Sequence, residues 1–250
     1  MPSYRAHRYP LRGKPPGTEM SPERSALIEF VQRELSTRAN PEKAVGMQAY
    51  MKTDMPFYGV QKPARTEVLR QLKKEFAPSD HGEYLEIVSS LWDLPHREEK
   101  YLSQGVATAF PRYVIPASLP MYHRFIVEGA WWDFVDETAT HMIRELVLGH
   151  PQEMWPVVDE WNDAADMWLR RTSIICQVGA RERTDTERLF RYCTARLGEK
   201  EFFIRKAIGW ALRDYARTDP VAVASYVSEH GEEMSGLSRR EATKHIGHLL

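Results

Sequence analysis

Cysteine is scarce in this chain of 250 residues: Cys176 and Cys193 are the only two. Neither stands in a C-x-x-C pair or beside a histidine cluster of zinc spacing, so neither a disulfide framework nor a structural metal is indicated, and the two thiols read as reduced core residues. Long apolar runs are also missing. No segment approaches the roughly 18 residues of a spanning helix, and the opening MPSYRAHRYPLRGKPPGTEM has no apolar stretch of the export type. A cytoplasmic protein without a membrane partner is expected. The chain has no G-x-G-x-x-G, no Walker loop, no H-E-x-x-H and no G-x-S-x-G, which removes the usual nucleotide, metallohydrolase and serine-hydrolase readings. No cofactor and no metal are expected.

An excess of charge of one sign is lacking too, with 34 Lys and Arg against 35 Asp and Glu. Nucleic-acid binders are often strongly basic, so near-neutrality argues mildly against that class. The distribution is uneven, however: residues 1–24 hold five basic and two acidic side chains, an excess of +3 that leaves −4 for the remainder. Any anion-binding face on the folded part must therefore be local. Residues 1–20 read as a basic tail and residues 21–250 as a single domain.

What the sequence does have is helix punctuation. Ser21-Pro22 supplies an N-cap and a first-turn proline ahead of ALIEFVQREL, Asn40-Pro41 opens the next helix, and Pro56-Phe57-Tyr58-Gly59 precedes a third beginning near Pro63. YLEIVSSLW, REEKYLSQGVATAF, MYHRFIVEG, WWDFVDETATHMIRELVLG, MWLRRTSIICQVG, ERLFRYCTARL, EFFIRKAIGWALRDYA and REATKHIGHLL follow with apolar residues at i, i+3, i+4 and i+7, and no segment alternates as a strand does. Helices of about 10–18 residues with short connections predict an all-α fold of stacked pairs, on the scale of HEAT repeats of about 40–47 residues. Such an array is a solenoid with a concave surface, suited to a long ligand and content as a monomer.

Three clusters carry chemistry. In Trp131-Trp132-Asp133-Phe134-Val135-Asp136, Trp132 and Asp136 share one helix face and Trp131 and Val135 another, so one face can pack while the other works. An indole beside a carboxylate suits cleavage of an N-glycosidic bond, whose transition state has oxocarbenium character that an anion and a π-face both stabilise. Two core tryptophans and a solvated aspartate are the alternative. In EFFIRKAIGWALRDYAR, Lys206, Trp210, Arg213 and Arg217 form one stripe, with Ile204, Ala207, Ile208, Ala211 and Tyr215 free to face the core. A basic stripe interrupted by an indole suits phosphate binding with stacking, although a merely solvated cationic face has the same pattern. In Trp168-Leu169-Arg170-Arg171 the two arginines point to different sides, so at most one can bind a phosphate, and a structural ion pair is the alternative. Tyr50 is either a core edge or the lining of a lesion pocket.

From about residue 25 to the C-terminus the chain resembles the DNA alkylation repair glycosylases of the AlkD type, built from HEAT-like repeats. The carriers are YMKTDMPFYGVQKPAR, WWDFVD, MWLRRTSI, KEFFIRKAIGWALRDYARTDP and LSRREATKHI. The resemblance implies excision of cationic N3- or N7-alkylated purines, of the 3-methyladenine and 7-methylguanine type, from double-stranded DNA without base flipping. It implies Trp132, Asp136 and Trp210 as the catalytic set, Tyr50 at the cleft, and Arg171 and Arg213 on the DNA backbone; the basic stripe read from spacing adds Lys206 and Arg217 as expected DNA contacts. Two alternatives stay open: a non-catalytic HEAT-like scaffold binding protein or DNA, and a glycosylase specialised for bulky adducts. Convergence of Trp132, Asp136 and Trp210 in one groove discriminates the enzyme from the scaffold.

Overall fold

The computed structural model describes residues 21–250, so the basic tail expected over 1–20 lies outside the described residues. Among the described residues all regular structure is helical and there is no strand, as the apolar spacing predicts. They divide into two compact units, 21–114 and 115–250.

In the first unit, α1 (Pro22–Thr37) starts where the Ser21 hydroxyl accepts from the Arg24 amide at 3.2 Å, and α2 (Pro41–Met51) where the Asn40 side chain accepts from Lys43 at 2.9 Å. Both caps, each followed by a first-turn proline, match the sequence signals. Next come α3 (Lys62–Glu75), α4 (His81–Trp92) and α5 (Arg97–Ala109). Leu27, Val31, Leu35, Val68, Leu72, Tyr84, Val88 and Leu91 form the core, and α2 contributes no buried side chain.

The loop before α3 is held by a carboxylate inside the unit. Glu98, fully buried on α5, accepts from the backbone amides of Tyr58, Gly59 and Val60 at 3.1, 2.8 and 2.9 Å. Gly59 adopts φ +84°, and a Cβ there would lie 2.0 Å from the Asn40 carbonyl oxygen, so only glycine closes this turn. The neighbouring Glu99 accepts from the Tyr58 hydroxyl at 3.0 Å.

The second unit holds α6 (Leu119–Gly129), α7 (Trp132–Glu137), a π-helical turn (Thr138–Ile143), α8 (Arg144–Gly149), α9 (Pro151–Asn162), α10 (Met167–Ile175), α11 (Thr186–Ala195), α12 (Phe202–Tyr215), α13 (Pro220–His230) and α14 (Gly236–Ala242). Its core is built on Tyr122, Phe125, Phe134, Trp161, Ile204 and Ile208. Cys176 and Cys193 lie buried and unpaired within it, as expected of reduced core residues. Two segments depart from the spacing. WWDFVDETATHMIRELVLG runs as one continuous helix but with a π turn in the middle, and REATKHIGHLL stops at Ala242, leaving only a short 3-10 turn at Gly247–Leu249.

Glu98→Gln should lower the melting temperature by on the order of 5 °C, because one amide oxygen cannot serve the donors of Tyr58, Gly59 and Val60 and its NH₂ opposes them. A thermal melt checks this; an unchanged midpoint would show that the loop does not depend on the carboxylate.

Candidate active site

The site is assembled by α7, α10 and α12. After α6 the chain turns at Ala130 (φ 42°) and runs extended through Trp131 before α7 begins at Trp132. Phe134 and Val135 face the core, which leaves Trp132 and Asp136 together on the opposite, partly exposed face. Trp131 packs away from them against Trp168 and Phe203, with ring centroids 6.1 and 5.4 Å away. The two tryptophans thus divide their work as the spacing suggests.

The π turn follows directly after this pair. Widening a helix from i+4 to i+5 bonding displaces carbonyl partners, and threonine hydroxyls take up the slack: Thr138 donates to the Phe134 carbonyl at 2.8 Å and Thr140 to that of Asp136 at 2.7 Å. The signal in the sequence is Thr138-Ala-Thr140, two side chains able to bond back one turn.

α10 is capped by Asp166, which accepts from the amides of Trp168 and Leu169 at 2.7 and 3.2 Å. Its two arginines diverge, as expected. Arg170 turns to Glu199, with Nε and Nη2 donating at 2.8 and 3.1 Å. Arg171, only 3% exposed, meets Asp136 edge to edge: Nε donates to Oδ1 at 2.7 Å and Nη2 to Oδ2 at 2.8 Å. Its Nη1 donates to the Phe203 carbonyl at 2.5 Å. In place of the phosphate expected of it, Arg171 holds the carboxylate, because its stem lies in the core and its fork opens onto α7. Burial pushes the Asp136 carboxyl above its ordinary value; Arg171 pulls against this without cancelling it, and Asp133 adds a smaller upward push.

On α12, Ile204, Ala207, Ile208 and Ala211 are buried, while Lys206, Trp210 and Arg213 stand on the other face. Gly209 lets α14 approach so closely that a Cβ there would sit 2.4 Å from Cβ of Glu241. Glu241 pairs with Lys206 at 2.7 Å and with Arg213.

These elements enclose a cleft of about 250 Å³ lined by Trp132, Asp136, Arg171, Lys206, Trp210 and Arg213. Six of the eight residues expected at the site therefore converge. Phe202 and Phe203 complete the lining and were not anticipated; the doubled Phe at the start of α12, one member 52% exposed, is the sequence signal for them. Arg217 falls outside the lining because α12 ends at Tyr215, so the stripe loses its helical register before reaching it. Tyr50 belongs to the first unit, where it is 71% exposed on α2. Among the described residues no cluster of metal-ligating side chains is found.

The cleft thus offers a single carboxylate, two indoles and a cationic rim on an all-helical frame, the properties of a protein that receives a charged ligand at an aromatic surface. The chain belongs to the DNA alkylation repair enzyme family, whose model matches residues 31–246. It is similar to a solved structure described as a predicted DNA alkylation repair enzyme from Enterococcus faecalis, with 28% identity, coverage of 84% of this chain and 97% of that one, and a TM-score of 0.76. No curated protein sequence matches it. A role in the repair of DNA alkylation damage follows from the family.

Arg171→Gln leaves the Asp136 carboxylate buried without its guanidinium, at an expected cost of about 3 kcal/mol at neutral pH. A carboxyl whose folded pKa is raised is destabilising while ionised, and that penalty is relieved as pH falls through the raised value. The stability gap between variant and wild type, measured by thermal melts, should therefore be wider at neutral pH than in mild acid; a gap independent of pH would contradict this.

Proposed function

We propose that the protein is a monofunctional DNA glycosylase that hydrolyses the N-glycosidic bond of cationic N3- or N7-alkylated purines in duplex DNA. The observation that carries this reading is the convergence of Asp136, Trp132 and Trp210 in one cleft bordered by Lys206 and Arg213. A scaffold has no need to gather a half-buried carboxylate, two indoles and two phosphate-seeking cations at one point.

Alkylation at N3 or N7 gives the purine a positive charge and weakens its bond to the sugar. As that bond breaks, its electrons pass to the base, which leaves neutral, and positive charge develops on the deoxyribose. A fixed anion and π-faces stabilise that charge where it forms. Arg171 occupies one lone pair on each oxygen of Asp136, and a carboxylate has about four such sites, so the remaining ones stay available to the sugar and to an attacking water. Water oxygen bonds to the anomeric carbon, Asp136 accepts a hydrogen bond from it, and its proton is lost to solvent. The product is an abasic site.

In this reading Trp132 and Trp210 contact the deoxyribose, and Lys206 and Arg213 bind the DNA backbone beside it. Exposed Arg217 supplies a further backbone contact on the second unit, and Tyr50, exposed on the first, a contact of that unit's own. The lesion stays in the duplex, because the chemistry needs access to the sugar rather than a base pocket.

The test is release of free base from duplex DNA containing 7-methylguanine, with wild type and Asp136→Asn compared in the presence of EDTA. Wild type should release the base, while the variant should bind DNA and lose about 10²-fold or more in excision rate. Equal release by the variant would remove Asp136 from the mechanism. Absence of release by wild type would defeat the assignment to small alkyl lesions.

A further inference from the structure

Glu241 holds Lys206 and Arg213, the two cations that α12 gives to the cleft, without lining the cleft itself. Its Oε1 accepts from Lys206 Nζ at 2.7 Å and its Oε2 from Arg213 Nη1, so one carboxylate bridges residues that flank Trp210 on the same helix face. The bridge is built into the packing. Gly209 lies on α12 between the two cations, and its missing side chain is the space into which the Glu241 stem fits. The carboxylate is 20% exposed, and its bond to Lys206 is the main influence holding its pKa below the ordinary value, so it remains charged through the physiological range.

A carboxylate in this place has two possible effects on a DNA phosphate. As a rival anion it would occupy the donors that phosphate needs. As a brace it would hold them in place and leave the rest free. The donor inventory favours the brace: an ammonium has three N–H donors and a guanidinium five, and Glu241 takes one from each. The three groups together carry +1, which matches the −1 of a single phosphodiester. Lysine and arginine side chains also lose considerable rotamer freedom on binding, a cost that prior fixation reduces.

We propose that Glu241 is a positioning residue that fixes Lys206 and Arg213 on either side of Trp210 as a preformed seat for the one phosphodiester next to the damaged nucleotide. The inference rests on the glycosylase reading, since it assigns the phosphate of that same site. It gives Glu241 an effect on recognition opposite to its effect on bulk charge. Removing its negative charge strengthens general attraction to DNA, yet it loosens the seat that places the damaged sugar against Asp136 and Trp210.

The experiment measures equilibrium binding of wild type, Glu241→Gln and Glu241→Ala to an undamaged duplex and to the same duplex carrying a tetrahydrofuran abasic-site analogue, with melts run in parallel. Glu241→Gln preserves shape, and Glu241→Ala keeps the Cβ that faces Gly209, so either can report if the other is unstable. Wild type is expected to prefer the analogue duplex. Both variants should lose about tenfold of that preference, a modest misplacement effect, while binding the undamaged duplex as tightly as wild type or more so. A preference unchanged in the variants overturns the inference alone, as does a gain of the same factor on both duplexes, which would make Glu241 a rival anion. Failure of wild type to prefer the analogue duplex, or to bind either, would bring down the glycosylase reading and the inference together.

Discussion

The edge-to-edge pair between Asp136 and Arg171, at 2.7 and 2.8 Å, is the constraint on which the site depends. A carboxylate this buried is costly when ionised, and without a partner it would take up a proton and cease to be an anion. Arg171 supplies the partner from within the core, tying α10 to α7 and, through the Phe203 carbonyl, to the start of α12. One guanidinium thus locks three helices around one functional group. The aromatic cluster of Trp131, Trp168 and Phe203 lies beside this junction and supports it. The pair therefore fixes the rotamer of Asp136 and favours its charged form against the effect of burial.

The electrostatic design is local. A chain with a formal charge of −1 cannot attract DNA by bulk charge, and the cleft instead gathers Lys206 and Arg213 on one helix face beside the Asp136–Arg171 pair, which is neutral as a unit. Within a Debye length of about 8 Å such an arrangement is felt by a phosphate in contact, whereas the balance of the remaining surface is screened. In the proposed function, positive charge at the rim receives the phosphate, and the carboxylate that shares the cleft with two indoles meets the cationic sugar.

Much of this was legible in the sequence, and the reasons are physical. Caps such as Ser21-Pro22 and Asn40-Pro41 are strictly local signals, and the helices begin where they say. The i, i+4 relation of Trp132 to Asp136 and the i, i+4, i+7 relation of Lys206, Trp210 and Arg213 are fixed by helix geometry, so co-facial placement could be read directly. What could not be read depends on contacts distant in sequence. Spacing does not show whether Arg171 meets a phosphate or a carboxylate on another helix, and only packing brings Asp136 into its fork. Glu241 is equally silent, since nothing in LSRREATKHI indicates that Gly209 lies opposite. Arg217 shows the limit of extending a period: the stripe is sound until the helix ends at Tyr215. The π turn lies between these cases, because Thr138 and Thr140 can bond back to carbonyls but do so in many ordinary helices.

The central claim is that the cleft recognises positive charge on the sugar through Asp136, and binding of a transition-state mimic tests it most directly. Two duplexes would be compared, identical except that one has a neutral tetrahydrofuran in place of the damaged nucleotide and the other a cationic pyrrolidine ring. The account predicts that wild type binds the cationic duplex more tightly, by about tenfold or more, and that Asp136→Asn abolishes the difference while still binding both. Equal affinity of wild type for the two rings, or a preference that survives in Asp136→Asn, would contradict it.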